Sequence, residues 1–138
     1  MSQFKWAIIG TGGIAHAFAT DIALLSDHVV AAVGSRSLEK AERFVKSIPG
    51  AKAHGSYDAL LSDSQIDAIY VATPHPSHKE NVIAALSAGK PVLCEKPFAV
   101  NAAEAKEMVA AAKANNVALM EAMWARFLPH YAKIREIV

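Results

Sequence analysis

With 138 residues, 53% hydrophobic and 20% charged, the chain carries enough apolar material for one domain with a sizeable core. Fourteen basic side chains against thirteen acidic ones leave a formal net charge of +1, which excludes the broad electropositive field of a nucleic acid binder but not a small anionic ligand. The start Met1-Ser2-Gln3-Phe4-Lys5 lacks a signal-peptide pattern, no window reaches the ~18 apolar residues of a membrane span, and the single cysteine, Cys94, allows no internal disulfide or zinc site, so a cytoplasmic, membrane-free, metal-free protein is expected.

Short β-rich runs alternate with helical patterns, the mark of a parallel sheet covered by helices on both faces. The first expected strand, over 4–9, runs into Gly10-Thr11-Gly12-Gly13 and a helix over about 14–25. A second strand over 29–34 precedes a helix in which Ala41, Phe44, Val45 and Ile48 form one apolar stripe, ended by Pro49-Gly50. A weaker strand over 52–54 and a short helix over 57–61 lead to Ala68-Ile69-Tyr70-Val71-Ala72, a run with no polar face that belongs mid-sheet. Helix is expected over 76–88 with Gly89 as its stop, then a strand over 91–94. Asn101, with Glu104 three residues on, caps a helix whose core stripe is Ala105, Met108, Val109 and Ala112, and 117–122 makes the sixth strand. Beyond it a helical segment runs to Val138 without a capping signal, so the chain reads as cut rather than finished. Six such units with right-handed crossovers give an α/β, doubly wound Rossmann-type sheet of order 3-2-1-4-5-6, with ligands at the carboxyl ends of strands 1 and 4.

Ile8-Ile9-Gly10-Thr11-Gly12-Gly13-Ile14-Ala15 has Gly-x-Gly-x-x-Ala spacing between a strand and a helix. Gly10 permits the tight turn and Gly12 lets a pyrophosphate approach the backbone. Ala15 lets the helix lie close, and its amino-terminal N–H groups, beginning near Thr11, Gly13 and Ile14, face the phosphates. A ligand-free turn and an S-adenosylmethionine site are the alternatives. The end of strand 2 reads Gly34-Ser35-Arg36-Ser37, without the Asp or Glu that NAD-binding folds and methyltransferases usually carry there. The Arg36 guanidinium suits the 2′-phosphate of NADP and can stack on adenine, and Ser35 adds a donor, so NADP is expected over NAD. Lys40, one helical turn on, either adds charge or is a solvated helix-face lysine.

Ala72-Thr73-Pro74-His75-Pro76-Ser77-His78 leaves the central strand and is expected to border the nicotinamide. His75 and His78 lack a third ligand nearby and read as surface or helix-start histidines rather than a metal pair. Cys94 reads as a small buried residue. In Cys94-Glu95-Lys96-Pro97, Lys96 either points into the crevice to hydrogen-bond a substrate oxygen or belongs to a surface Glu–Lys pair, and spacing does not separate the two.

Ala7 to Ala15, Val71 to His78 and Gly89-Lys90-Pro91-Val92-Leu93-Cys94-Glu95-Lys96-Pro97, in that order, resemble the glucose-fructose oxidoreductase, inositol dehydrogenase and rhizopine catabolism family (Gfo/Idh/MocA) across essentially the whole chain. Met120-Glu121-Ala122-Met123-Trp124-Ala125-Arg126-Phe127-Leu128-Pro129 resembles its branch of dimeric dihydrodiol and NADP-dependent D-xylose dehydrogenases. The resemblance implies that Lys96 is the active-site lysine, that a cis peptide bond precedes Pro97, that Glu95 lies against the nicotinamide ribose, and that Trp124 and Arg126 sit near the cofactor. It implies an NADP-dependent enzyme acting on a CH–OH group of a sugar, polyol or diol, homo-oligomeric at full length. Residues 1–124 are then the cofactor domain and 125–138 a linker helix at the start of an absent substrate domain, with little turnover expected from this chain alone. The competing reading is a catalytically silent NADP-binding module that senses redox state or binds a protein partner. Such a module has no need of Lys96.

Overall fold

The computed structural model describes residues 3–138. Six strands, β1 (Phe4–Ile9), β2 (His28–Gly34), β3 (Lys52–His54), β4 (Ala68–Val71), β5 (Val92–Cys94) and β6 (Leu119–Glu121), form one sheet. Every pairing is parallel, and the order is β3-β2-β1-β4-β5-β6, as expected from the alternation of strand and helix. The interleaved helices are α1 (Gly13–Ile22), α2 (Leu38–Val45), α3 (Tyr57–Leu61), α4 (His78–Ser87), α5 (Ala102–Asn115) and α6 (Pro129–Ile137).

The period-2 alternation of strand side chains sorts the core into two layers. Ala7, Ile9, Ile69, Val71, Val92 and Cys94 face Leu60 of α3, Val82 and Leu86 of α4, and Met108 and Ala112 of α5. Ile8, Val30, Val33 and Tyr70 face Ala15, Ala19 and Ile22 of α1 and Phe44 of α2. Helices therefore cover both faces, and β4, flanked by β1 and β5, is buried along its length.

Several boundaries differ from the sequence reading, each for a local reason. α1 stops at Ile22, after which Leu24 and Leu25 donate to Asp21 and Ile22 in tighter turns, and Leu24 is 81% exposed. α2 stops at Val45, and Ile48 reaches the core through an i−3 bond to Val45 rather than through continued helix. The segment before α4 is a 3-10 turn over His75–Ser77, closed by a bond from Ser77 N to Pro74 O at 2.9 Å, and α4 itself starts only at His78. On α5, Met108 and Ala112 are buried but Val109 is 42% exposed, so the stripe is narrower than expected. β6 is three residues long, followed by a 3-10 turn over Trp124–Phe127. Among the described residues no helix is long and apolar enough to cross a membrane.

Candidate functional site

Five buried polar side chains stand out in an otherwise apolar interior: Ser35, Thr73, His78, Asn81 and Glu95. All five lie just beyond the carboxyl ends of β2, β4 and β5 or in the first turn of α4. Burying polar groups is costly unless they are hydrogen-bonded. This edge of the sheet is where the sequence accepts that cost.

The glycine turn opens onto the same edge. Gly10 adopts φ +112, and a Cβ there would sit 2.7 Å from Ala72 O, so the turn brings β1 directly against the end of β4. Its N–H donates to Gly34 O at 3.0 Å, tying the turn to the end of β2 as well. Next along the chain, Gly12 is the N-cap of α1, and Cβ atoms at Gly12 or Gly13 would meet nothing within 4 Å. Side chains cap α2, α3 and α5, from Ser37, Ser56 and Asn101, whereas α1, like α4 and α6, has no side-chain acceptor at its start. Open backbone N–H groups at the positive end of a helix dipole are the chemistry that holds a phosphate.

Beside the turn, Ser35 is 7% exposed; its Oγ accepts from Ser37 N, leaving the hydroxyl hydrogen free to donate. Arg36 is exposed next to it. Lys40 is exposed further along on α2 yet shares a hollow of about 600 Å³ with Thr11, His16 and Arg43, so it faces the glycine turn from the other side. In that hollow the His16 ring stacks on Phe44 with centroids 3.9 Å apart.

Across the turn, Ala72 and Thr73 are buried while Pro74 and His75 are exposed. Asn81 Nδ2 donates to Thr73 Oγ1 at 3.1 Å. His78, expected at a surface or a helix start, is at the start of α4 but fully buried, which corrects the surface option. One ring nitrogen, Nε2, is 2.9 Å from Thr73 O; the other, Nδ1, is 3.1 Å from Pro97 O and 3.3 Å from Phe98 O. Among the described residues no three His, Cys, Asp or Glu side chains converge as a metal site would require.

Glu95 is 8% exposed and Lys96 exposed, with a cis peptide bond between Lys96 and Pro97 as the resemblance implied. The Tyr70 hydroxyl donates to Glu95 Oε1 at 2.6 Å, and Lys96 N donates to Oε2 at 3.1 Å. Burial, together with the Glu95 carboxylate, pushes the Tyr70 phenol well above its ordinary range. Burial, reinforced by Glu121 and Glu95, pushes the Cys94 thiol up to about 12, which fits an inert core residue. β4 is buried along its length as expected, and Tyr70 adds a single polar atom within it: the ring packs on Phe18 with centroids 3.9 Å apart while the hydroxyl serves Glu95. Glu121 does a similar task one strand over, accepting from Phe98 N at 2.9 Å. Trp124 and Arg126 lie beyond β6, both exposed. Trp124 borders an apolar groove of about 710 Å³ with Phe18, Tyr70, Leu93, Glu95 and Phe127.

Comparison with known proteins agrees with the fold. A family model described as "Oxidoreductase family, NAD-binding Rossmann fold" (GFO_IDH_MocA) matches residues 4–123. The chain is 47% identical over 136 residues to the mouse trans-1,2-dihydrobenzene-1,2-diol dehydrogenase, covering 97% of this chain and 41% of that protein. It is 44% identical over 146 residues to the D-xylose 1-dehydrogenase (NADP(+)) of Hypocrea jecorina, covering 97% and 37%. Among solved structures, KijD10, a 3-ketoreductase from Actinomadura kijaniata in complex with NADP, superposes with a TM-score of 0.91 at 30% identity, covering 99% of this chain and 44% of that one. The chain thus spans well under half the length of these relatives.

Proposed function

The chain belongs to the GFO_IDH_MocA oxidoreductase family through its NAD-binding Rossmann domain, and from that premise we propose that it is the NADP-binding part of an oxidoreductase acting on a CH–OH group of a sugar, polyol or dihydrodiol. The observation that supports this most is the alignment of uncapped α1, Ser35-Arg36, the Thr73 loop and Lys96 along one edge of the sheet. The fit to a dinucleotide rests on space and donors: open room in front of Gly12 and Gly13, and no side chain competing for the helix N–H groups.

In this reading Gly10 shapes the turn, its own N–H held by Gly34 O, and the N–H groups from Thr11 to Ile14 hold the pyrophosphate. Arg36 and Ser35 hold a 2′-phosphate through charge-assisted hydrogen bonds, and Lys40 adds positive charge from the hollow beyond Thr11. Ala72, Thr73, Pro74 and His75 wall the nicotinamide end, Glu95 lies toward its ribose, and Trp124 and Arg126 border the open side. Bound there, the nicotinamide supplies the hydride acceptor or donor. Lys96 hydrogen-bonds the substrate oxygen, taking its proton as a hydroxyl is oxidised or returning it as a carbonyl is reduced. Residues 1–124 form the cofactor domain and 125–138 lead toward a substrate domain. The diol and sugar specificity of the relatives belongs to their full chains, of which this one matches 41% or less.

Titration with NADPH and NADH, following energy transfer from the tryptophans, tests the reading. Expected is saturable binding about ten- to a hundredfold tighter for NADPH, the span of one or two charged hydrogen bonds, and loss of that preference in Arg36→Ala. Absence of binding by either nucleotide, or equal affinities with Arg36 intact, overturns it.

A further inference from the structure

We infer that His78 is a positioning residue: it clasps the loop after β4 to the loop after β5, so that the walls on either side of the nicotinamide end hold one fixed spacing without His78 touching the nucleotide. This rests on the reading of the crevice as a nicotinamide nucleotide site and specifies how that site is held.

The ring is fully buried, and each nitrogen faces main-chain carbonyl oxygens of a different loop, Thr73 O on one side and Pro97 O and Phe98 O on the other. All of these partners are acceptors, so a ring with hydrogens on both nitrogens donates to both loops at once, whereas a ring with one hydrogen donates to one loop and turns a lone pair toward the carbonyl of the other. The two loops leave neighbouring strands at the same level, since Val71 pairs with Cys94 and Glu95 N donates to Val71 O at 3.0 Å. Beyond that bond, among the described residues, the His78 ring is the side chain with polar contacts to both loops. Separate side chains fasten each loop: Asn81 donates to Thr73 Oγ1, and Glu121 accepts from Phe98 N. Those contacts fix each loop to the scaffold, whereas His78 fixes the loops to each other. Lys96 lies one residue before the clasped Pro97 carbonyl, and Pro74 and His75 follow the clasped Thr73 carbonyl.

A clasp of this kind acts on one half of the dinucleotide only. The adenosine half meets Ser35, Arg36 and the glycine turn, none of which His78 touches. The test measures affinity of this chain for NADPH and for adenosine 2′,5′-bisphosphate, which lacks the nicotinamide half, in wild type, His78→Ala and His78→Gln. Expected is that wild type binds NADPH more tightly than the bisphosphate and that His78→Ala shrinks this gap about tenfold with bisphosphate affinity unchanged. His78→Gln, which keeps an N–H donor and nearly the same size, restores part of the gap and serves as the reading if His78→Ala fails to fold. Hydrogen exchange adds an independent readout: amides of Ser77, Lys96 and Phe98 should exchange faster together in the variants while those of β1 and β2 stay unchanged. Equal weakening of both ligands, an unaltered gap, or no gap in wild type overturns the clasp. Failure of wild type to bind either ligand instead overturns the nucleotide-site reading on which it rests.

Discussion

Alanine at Gly12 is expected to remove nucleotide binding from a chain that still folds, whereas alanine at Gly10 is expected to damage the fold itself. Gly12 has φ −84 and ψ 179, a conformation alanine adopts without strain, and its added methyl would meet no protein atom within 4 Å. The stability cost is therefore that of a poorer N-cap, about 1 kcal/mol or less. The same methyl projects into the open space before α1, where a pyrophosphate must approach the backbone, so NADPH affinity should fall at least tenfold. At Gly10 the backbone has φ +112, and a Cβ would lie 2.7 Å from Ala72 O and 2.9 Å from Ala72 C. The unfavourable φ costs about 1–3 kcal/mol and the forced separation of β1 from the β4 loop another 1–3 kcal/mol. A total of roughly 2–6 kcal/mol is a large share of the ~5–15 kcal/mol typical of a domain. Urea unfolding followed by circular dichroism, paired with NADPH titration of the same samples, reads both quantities. Wild-type affinity in a folded Gly12→Ala chain, or wild-type stability in Gly10→Ala, would refute the reasoning.

Three further expectations concern stability. Tyr70→Phe removes the hydroxyl that donates to buried Glu95 at 2.6 Å, and a charge-assisted bond of this kind should cost about 1.5–3 kcal/mol in urea unfolding; a cost below 0.5 kcal/mol would show the pair to be idle. Cys94 keeps its proton in the folded chain up to about 12 but loses it from about 9 when unfolded, so the stability it contributes is full below pH 9 and is lost as pH rises toward 12. Stability measured between pH 9 and 11 should thus fall less steeply in Cys94→Ala, by about 1.4 kcal/mol per pH unit, and parallel curves would contradict this. Asn116 ends α5 at φ 52, so Asn116→Gly should raise the thermal midpoint through a gain of about 0.5–1 kcal/mol, and a lower midpoint would oppose it.

Sheet order and the glycine turn were legible because each rests on local pattern. An apolar run such as 68–72 has few places to go but the centre of a parallel sheet, and the spacing of Gly10 and Gly12 matters only between a strand and a helix, where both are found. Helix ends were less legible. Ile48 continues the apolar stripe of α2 and does pack on the core, but periodicity reports which side chains are buried, not whether the backbone between them is still helical. On alanine-rich α5 the small side chains blur the stripe, and Val109 falls outside its buried edge. The buried polar seam was the least legible part. His78 takes its partners from Thr73, five residues back, and from Pro97 and Phe98, about twenty residues on; Tyr70 finds Glu95 twenty-five residues away. No local rule pairs residues across a crossover helix, although a tyrosine inside an otherwise apolar central strand is itself a signal that its hydroxyl needs a partner.

In the proposed function a nicotinamide dinucleotide lies along the carboxyl edge of this sheet. Amide chemical-shift mapping of the labelled chain during NADPH titration tests it most directly, because it reports position as well as affinity. Saturable shifts are expected at Gly10 to Ile14, Ser35 and Arg36, Ala72 to His75 and Lys96, with β3 strand residues and the far end of α5 unchanged. Shifts confined to the apolar groove around Phe18, Trp124 and Phe127, with the glycine turn silent, would contradict it.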